Sequence, residues 1–352
     1  MKELRLGFVG AGYMGQLAHL ANYATLRDCR IVALAEPRER LAQKIAGRYE
    51  IKEVYADHRE LLERSSVDAI VASQPFDRHI KLLPDILRKG IPIFTEKPLA
   101  VSLEAGMELV RLAENNKVLH MVGYHKRSDL AVEFAKKLIL DWTQSGEYGK
   151  MRLVRITMPP CDDWYVHADN RLITTEEPYP SVEREGLPSC YDQKQGEEYK
   201  SFINYYIHQI NALRFLFGQP FDIVHTDKAQ SIIVVESDGG VCGTIEMAPY
   251  VTANSWQESF FVSFERAFIR IDLPSPLISD LAGRLFVMKK DRNGDETVTE
   301  HSLPNYSAMY NQARNFLAAV RGERSAPCDS REALEDLKIA NRYMDSYIHS
   351  GR

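Results

Sequence analysis

The sequence predicts an α/β protein: an N-terminal Rossmann domain, that is a doubly wound parallel sheet, followed by a second domain with a mixed or antiparallel sheet. Three observations carry this. Over residues 1–125 short apolar runs alternate with stretches of helical period. A G-x-G-x-x-G pattern stands between the first run and the first helical stretch. Beyond residue 126 the runs take on the alternation and turn signals of hairpins.

In chain order, "LRLGFVG" (4–10) is a short strand-forming run, followed by a helical stretch with Leu17, Ala21 and Ala24 on one face. "RIVALAE" (30–36) is a buried-strand run, and "RERLAQKIAGRY" has helical spacing through Leu41, Ile45 and Ala46. "DAIVAS" (68–73), "IPIFTE" and "LHMVGY" (119–124) complete five strand candidates. Between them lie the helical stretches "HIKLLPDILRKG", with Pro84 as a kink and Gly90 as a stop, and "LEAGMELVRLAENN". Nearly continuous apolar strands alternating with helices imply a parallel sheet covered on both faces.

From residue 126 a helical stretch, "DLAVEFAKKLILDWTQSG", leads to the strand "GKMRLVRITM". Three hairpin-like segments follow: "QSIIVVESDGGVCGTIEMAPYV", with a turn at Asp238-Gly239, "ESFFVSFERAFIRIDL" and "GRLFVMKKDRNGDETVTEHSL". Residues 160–200 are polar and rich in Pro, Asp and Glu; they read as a long, functional loop. Two helical stretches close the chain. The expected domains are therefore 1–125 and 126–352, the terminal helices being able to pack back on the first.

Composition narrows the function. With 45% hydrophobic and 26% charged residues and a net charge of -5, the chain reads as a soluble globular protein. No long basic tract supports a nucleic-acid or membrane partner. The apolar run in "MKELRLGFVGAG" is too short for a signal peptide or a membrane span. Five scattered cysteines without C-x-x-C spacing point to reduced thiols in the cytoplasm.

Gly10, Gly12 and Gly15, with Tyr13 and Met14 between them, form the expected dinucleotide loop. Gly10 permits the tight turn, Gly12 lets the backbone approach a diphosphate, and Gly15 lets helix and strand pack. The diphosphate would rest on the helix N-terminal amides. Glu36 ends the second run roughly twenty residues on, where a carboxylate accepts from a ribose 2′-hydroxyl and disfavours a 2′-phosphate. NAD is the expected cofactor, and Arg38 keeps NADP possible. Ser73, Gln74 and Pro75 follow "DAIVA" at a strand's carboxyl end and would flank the nicotinamide ribose. His79 opens the next helix, as a cofactor contact or a packing histidine.

"IPIFTEKPLA" (91–100) holds the sharpest anomaly: a buried run ending in Glu96 and Lys97, then Pro98. Burying such charges costs several kcal/mol per ion unless each is partnered. At a strand end facing the crevice, Lys97 can hydrogen-bond a substrate hydroxyl, while Glu96 orients it or binds a ribose. Pro98 fixes the turn, with a cis bond as one option.

"GFVGAGYMG", "ALAEPRER", "EKPLA" and "VGYHKR" in this order resemble the glucose-fructose oxidoreductase / inositol dehydrogenase / rhizopine catabolism (Gfo/Idh/MocA) family of NAD(P)-dependent sugar oxidoreductases. The resemblance implies a Rossmann domain followed by an α/β domain with a large, open sheet, and association through that sheet into homodimers or homotetramers. It also implies an Asp-x-x-x-His element, matched here by "FINYYIHQINALRFLFG" (202–218), with His208 as the histidine and Asn204 in place of the aspartate. His208 is then the candidate general base and Lys97 its partner on the same hydroxyl. Asn204, Asn211 and Phe215 share the face of His208. Asn204 can orient a hydroxyl but cannot carry a proton, which leaves Tyr205 or Tyr206 as possible participants.

Asp162, Asp163, Trp164, His167 and Asp169 cluster in the polar loop, where carboxylates could grip hydroxyls and the indole could stack on a sugar ring. No ligand spacing there marks a metal site, and none is expected. Arg127 and Asn211 are further substrate candidates. The implied reaction is NAD-dependent oxidation of a secondary hydroxyl on a sugar, cyclitol or sugar derivative. The rivals are NAD-dependent glycoside cleavage through transient oxidation, and a non-catalytic NAD(P)-binding regulator.

Overall fold

Leu4–Val9 forms strand β1, with Leu6 and Phe8 wholly buried and Arg5 turned to solvent. The computed structural model describes residues 3–158, 171–248 and 256–350. After the glycine loop comes a π turn, Gly15–Leu20, running into a short helix, α1 (Ala21–Tyr23). There follow β2 (Cys29–Ala35), α2 (Glu39–Tyr49), β3 (Glu53–Tyr55), α3 (His58–Arg64), β4 (Ala69–Ala72), α4 (His79–Arg88), β5 (Ile93–Thr95), α5 (Leu103–Asn115) and β6 (His120–Val122). The six strands pair in parallel in the order β3-β2-β1-β4-β5-β6, the doubly wound arrangement.

Two details differ from the expectation. Strand β3 and helix α3 span three and seven residues, too short for periodicity to reveal. The π turn also shifts the phase of the first helix. Every residue from Gly15 to Leu20 is buried, as is Tyr23, while Ala21 is only half-buried and Ala24 is exposed. An i→i+5 turn is wider than the 3.6-residue spacing assumes.

The second sheet is built from β7 (Met151–Thr157), β8 (Asp222–Thr226), β9 (Ile232–Glu236), β10 (Cys242–Glu246), β11 (Glu258–Phe264), β12 (Ala267–Leu273), β13 (Arg284–Lys290) and β14 (Glu296–His301). Its order is β14-β13-β12-β11-β7-β10-β9-β8, and every pairing is antiparallel except β7 with β10. The hairpin predicted at Asp238-Gly239 joins β9 to β10, its turn closed by Gly240, at φ +74°, donating to the Ser237 carbonyl at 2.9 Å. Along β11 alternate residues are buried, so one face packs and the other meets water. Four further helices are α6 (Leu130–Ser145), α7 (Gln193–Phe217), α8 (Ala308–Val320) and α9 (Ser330–Ser350). Helix α7 begins at Gln193, so the stretch 160–200 is not loop to its end. Its first turns lack an apolar period because they are largely polar, "QKQGEEYK".

The chain divides into two compact units. One holds the chain up to Tyr124, the segment ending at Asn204, and Met309–Leu337. The other begins at His125 and includes Tyr205–Ala308 and the last helix from Lys338 onward. Helices α7 and α9 each run through both. In the first unit Leu6, Phe8, Leu34, Phe94 and Met121 from the strands pack with Ile45 of α2 and Phe316 and Leu317 of α8. The rings of Phe94 and Phe316 meet edge to face at 5.8 Å.

Candidate cofactor and catalytic site

The glycine loop is built as its spacing requires. Gly10 sits at φ +94°, and a Cβ there would come within 2.5 Å of the Ser73 carbonyl oxygen. Such crowding admits only glycine. A Cβ at Gly15 would reach 2.8 Å from the Gly10 carbonyl oxygen, so this glycine lets the π turn close on the strand. A Cβ at Gly12 would meet nothing within 4 Å: the backbone there is bare toward open space, as a cradle for a diphosphate must be. Tyr13 and Met14 are half-buried on the same turn. Gln16, which the sequence did not single out, ties the turn down: its amide donates to the Ala11 carbonyl at 2.9 Å and to that of Ile173 at 3.1 Å.

Glu36 is 2% exposed at the end of β2. Its Oε2 accepts the Ala11 N–H at 2.9 Å, which joins the ends of β1 and β2. Arg38 donates to both carboxylate oxygens, from Nε at 2.7 Å and from Nη2 at 3.1 Å. That hydrogen bond raises the Arg38 pKa further. Ser73 donates its N–H to the Val9 carbonyl at 3.0 Å, and the Gln74 amide donates to the same oxygen at 3.2 Å. Pro75 is exposed beside them. The residues at the ends of β1, β2 and β4 thus gather into one edge, and their donors, bare backbone and carboxylate fit a dinucleotide. His79 is fully buried, with Nδ1 on the Leu99 carbonyl at 3.0 Å, and burial lowers its pKa. Its ring is spent on packing α4 against the segment after β5.

The charges that end β5 both have partners. Glu96 meets His19 Nε2 at 2.6 Å, an imidazole that is itself 2% exposed. Lys97 Nζ donates to the Asn204 main-chain oxygen at 2.6 Å, and the Lys97–Pro98 bond is cis. Nothing local in the sequence pairs His19 with Glu96, which lie 77 residues apart.

In the second unit His208 is half-buried, its ring edge-on to His125 with centroids 4.7 Å apart. Arg127 is buried and donates from Nε to the Asn211 side-chain oxygen at 2.8 Å, its guanidinium 4.7 Å from the Phe215 ring centroid. These two side chains are thereby paired. Lys126 pairs with Glu258, both buried, and the Gln209 amide donates to Glu258 at 2.9 Å. Sequence reasoning missed this group. Of the two tyrosines on α7, Tyr206 is tied to the Met247 carbonyl at 3.1 Å while Tyr205 is 55% exposed. Asn204 is exposed one helical turn before His208. Asp162, Asp163, Trp164, His167 and Asp169 lie outside the described residues. Among the described residues, no cluster of His, Cys, Asp and Glu could hold a metal ion, and no helix is long and apolar enough to cross a membrane.

Known proteins resemble this chain in sequence and fold. The chain is 35% identical over 221 residues to the rhizopine catabolism protein MocA of Rhizobium meliloti, covering 62% of this chain and 59% of that one. It is 22% identical over 248 residues to the myo-inositol 2-dehydrogenase of Thermotoga maritima, covering 70% and 64%. The match thus spans about three-fifths of the length of these curated relatives. Its fold superposes on that of a putative NADPH-dependent oxidoreductase from Desulfitobacterium hafniense with a TM-score of 0.79 at 16% identity, covering 100% of this chain and 97% of that one. Residues 4–124 match the model of the oxidoreductase family with an NAD-binding Rossmann fold, GFO_IDH_MocA.

Proposed function

We propose that the protein is an NAD-dependent dehydrogenase that oxidises a secondary hydroxyl of a sugar, cyclitol or sugar derivative. The observation that carries the reading is the anchoring of Lys97. Its ammonium ends β5 beside a histidine-held carboxylate and donates to the Asn204 main-chain oxygen. The names of the two relatives above support the substrate class.

In this reading Gly10, Gly12 and Gly15 seat the diphosphate, Glu36 accepts from the adenosine ribose, and Ser73–Pro75 border the nicotinamide end. Bound NAD supplies the hydride acceptor. Lys97 donates to the substrate hydroxyl oxygen and stabilises the negative charge that develops as its proton leaves. His208 takes that proton; its Nδ1 is buried, so the ring would offer Nε2. Asn204 orients a neighbouring hydroxyl and carries no proton. Asp163, Trp164, Arg127 and Asn211 are candidates for gripping the sugar, the last two paired with one another beside the helix face of His208. The exposed face of the open sheet, where Arg270 lies 4.2 Å from the Phe286 ring centroid, is the proposed surface for homo-oligomers.

The test is a dehydrogenase screen over cyclitols, hexoses, uronates and nucleotide sugars, run with NAD and NADP and followed by reduced-cofactor absorbance. Reduction with at least one cyclic polyol or sugar is expected. Failure with every member would overturn the reading.

A further inference from the structure

The turn between β2 and α2 is where a Rossmann fold reads the ribose 2′ position. A 2′-phosphate arriving there would look for two things: the Arg38 guanidinium and the amides at the start of α2. Both are already engaged, and by residues far along the chain. The N–H groups of Arg40 and Leu41 donate to the two Glu177 oxygens, each at 3.0 Å, and Thr175 donates to the same carboxylate at 2.9 Å. The Arg40 amide holds the Glu177 carboxyl below its usual range, so it is an anion at neutral pH. Arg38 lies on Glu36, with its guanidinium 5.1 Å from the centroid of the Tyr179 ring. Tyr179 is fixed in turn: its hydroxyl accepts from Arg78 Nη1 at 2.9 Å and lies 3.4 Å from the Gln74 side-chain oxygen. The segment is further stapled by Arg48 to the Arg171 carbonyl, by Arg184 to Asp77, and by Glu185 to the amides of Val101 and Ser102.

We propose that Glu177 and Tyr179, which lie outside the family's Rossmann segment, set the preference for NAD over NADP. Glu177 plugs the start of α2 with a fixed negative charge, and Tyr179 keeps Arg38 on Glu36. A 2′-phosphate therefore meets two carboxylates, while the donors it needs are in use. This rests on the NAD site proposed above and deepens it.

The experiment is calorimetric titration with ADP-ribose and 2′-phospho-ADP-ribose, ligands without a nicotinamide, so the readout does not depend on turnover. Wild type, Glu177→Gln, Tyr179→Leu and the double variant are compared, with thermal melts to verify folding. Gln keeps a carbonyl acceptor for the helix amides, so Glu177→Gln is the variant least exposed to misfolding. The wild type is expected to favour ADP-ribose. Glu177→Gln should tighten 2′-phospho-ADP-ribose about fivefold, and the double variant about thirtyfold. ADP-ribose itself should move less than about twofold. An unchanged preference in a folded double variant, or equal weakening of both ligands, overturns the proposal while leaving the NAD site standing. A wild type that binds neither ligand removes the NAD reading and this inference with it.

Discussion

Three buried or half-buried carboxylates of the parallel sheet's unit stand beyond strand ends: Glu36 after β2, Asp77 in the turn that follows β4, and Glu96 after β5. In the open sheet's unit Glu258 starts a strand and Asp129 caps α6. The first group has side-chain partners able to carry positive charge: Arg38, the pair Arg184 and Lys200, and His19. Of the second group, Glu258 has Lys126, whereas Asp129 accepts main-chain N–H groups from Ala131 and Gly283. Parallel strands covered on both faces are mostly apolar inside, where Thr95 and His120 are hydrogen-bonded to one another, and the three carboxylates lie beyond their carboxyl ends, where doubly wound folds bind ligands. A sheet with one wet face exerts no such pressure, and its buried charges arise wherever a helix covers an inward position. Of these charges, those of the first unit stand beyond strand ends and those of the second lie within packed surroundings.

The largest expected effect tests the first half of that contrast. Lys97→Ala should lower kcat/KM about a thousandfold, in the range of a lost acid–base group, with NAD affinity unchanged within about twofold. Weakened NAD binding with normal turnover would move Lys97 from the reaction to the cofactor site. Next in size is the second half. Lys126→Ala strands a buried Glu258 beside Gln209 and should destabilise the protein by about 3–5 kcal/mol in denaturant titration. The double variant Lys126→Met/Glu258→Gln should recover most of that loss. A single-variant cost below about 1 kcal/mol would mean that this pair is solvated rather than structural.

Legibility in the sequence follows the same divide. The glycine loop, Glu36 and the Glu96-Lys97-Pro98 end could be read because each is a local pattern: a fixed spacing, an offset, or charge where apolar residues should continue. What binds across long separations had no such trace. His19 with Glu96, Lys126 with Glu258, and Glu177 with the amides of α2 lie 77, 132 and 136–137 residues apart. Only the folded topology joins them. His79 shows a position that allowed two readings, a cofactor contact or a packing histidine, and its ring turns inward to the Leu99 carbonyl. The β3–α3 pair was too short to read, and the π turn defeated a helical period that was otherwise sound.

Asp129 and Asp77 sharpen the comparison through pH, because their environments have opposite signs. Burial pushes Asp129 up from 3.8 to about 6, with main-chain N–H bonds opposing it. Between those values the folded chain keeps a proton that the unfolded chain has released, so this group's contribution falls as pH rises from about 4 to about 6. Asp129→Asn removes that titration. Relative to wild type the variant should gain about 3 kcal/mol between pH 4 and pH 7, read by denaturant titration at both pH values. A difference independent of pH would place the ionised carboxylate in wetter surroundings than its burial indicates.

Asp77 gives the smallest and opposite effect. Burial would raise its pKa, but hydrogen bonds and charge from Lys200 and Arg184 bring it below 3.8. The unfolded chain therefore binds this proton more tightly. The stabilisation is complete above about pH 4 and is lost as pH falls through the lower folded value. Because both cations are partly exposed, solvent discounts the pair. Asp77→Asn should lower the melting temperature by about 3 °C at pH 7, and the gap should close as wild type is acidified below pH 4. A gap that stays constant through that range would show that Asp77 holds residues 184 and 200 by shape rather than by charge, and the strand-end polarity of the first unit would lose its electrostatic basis at β4.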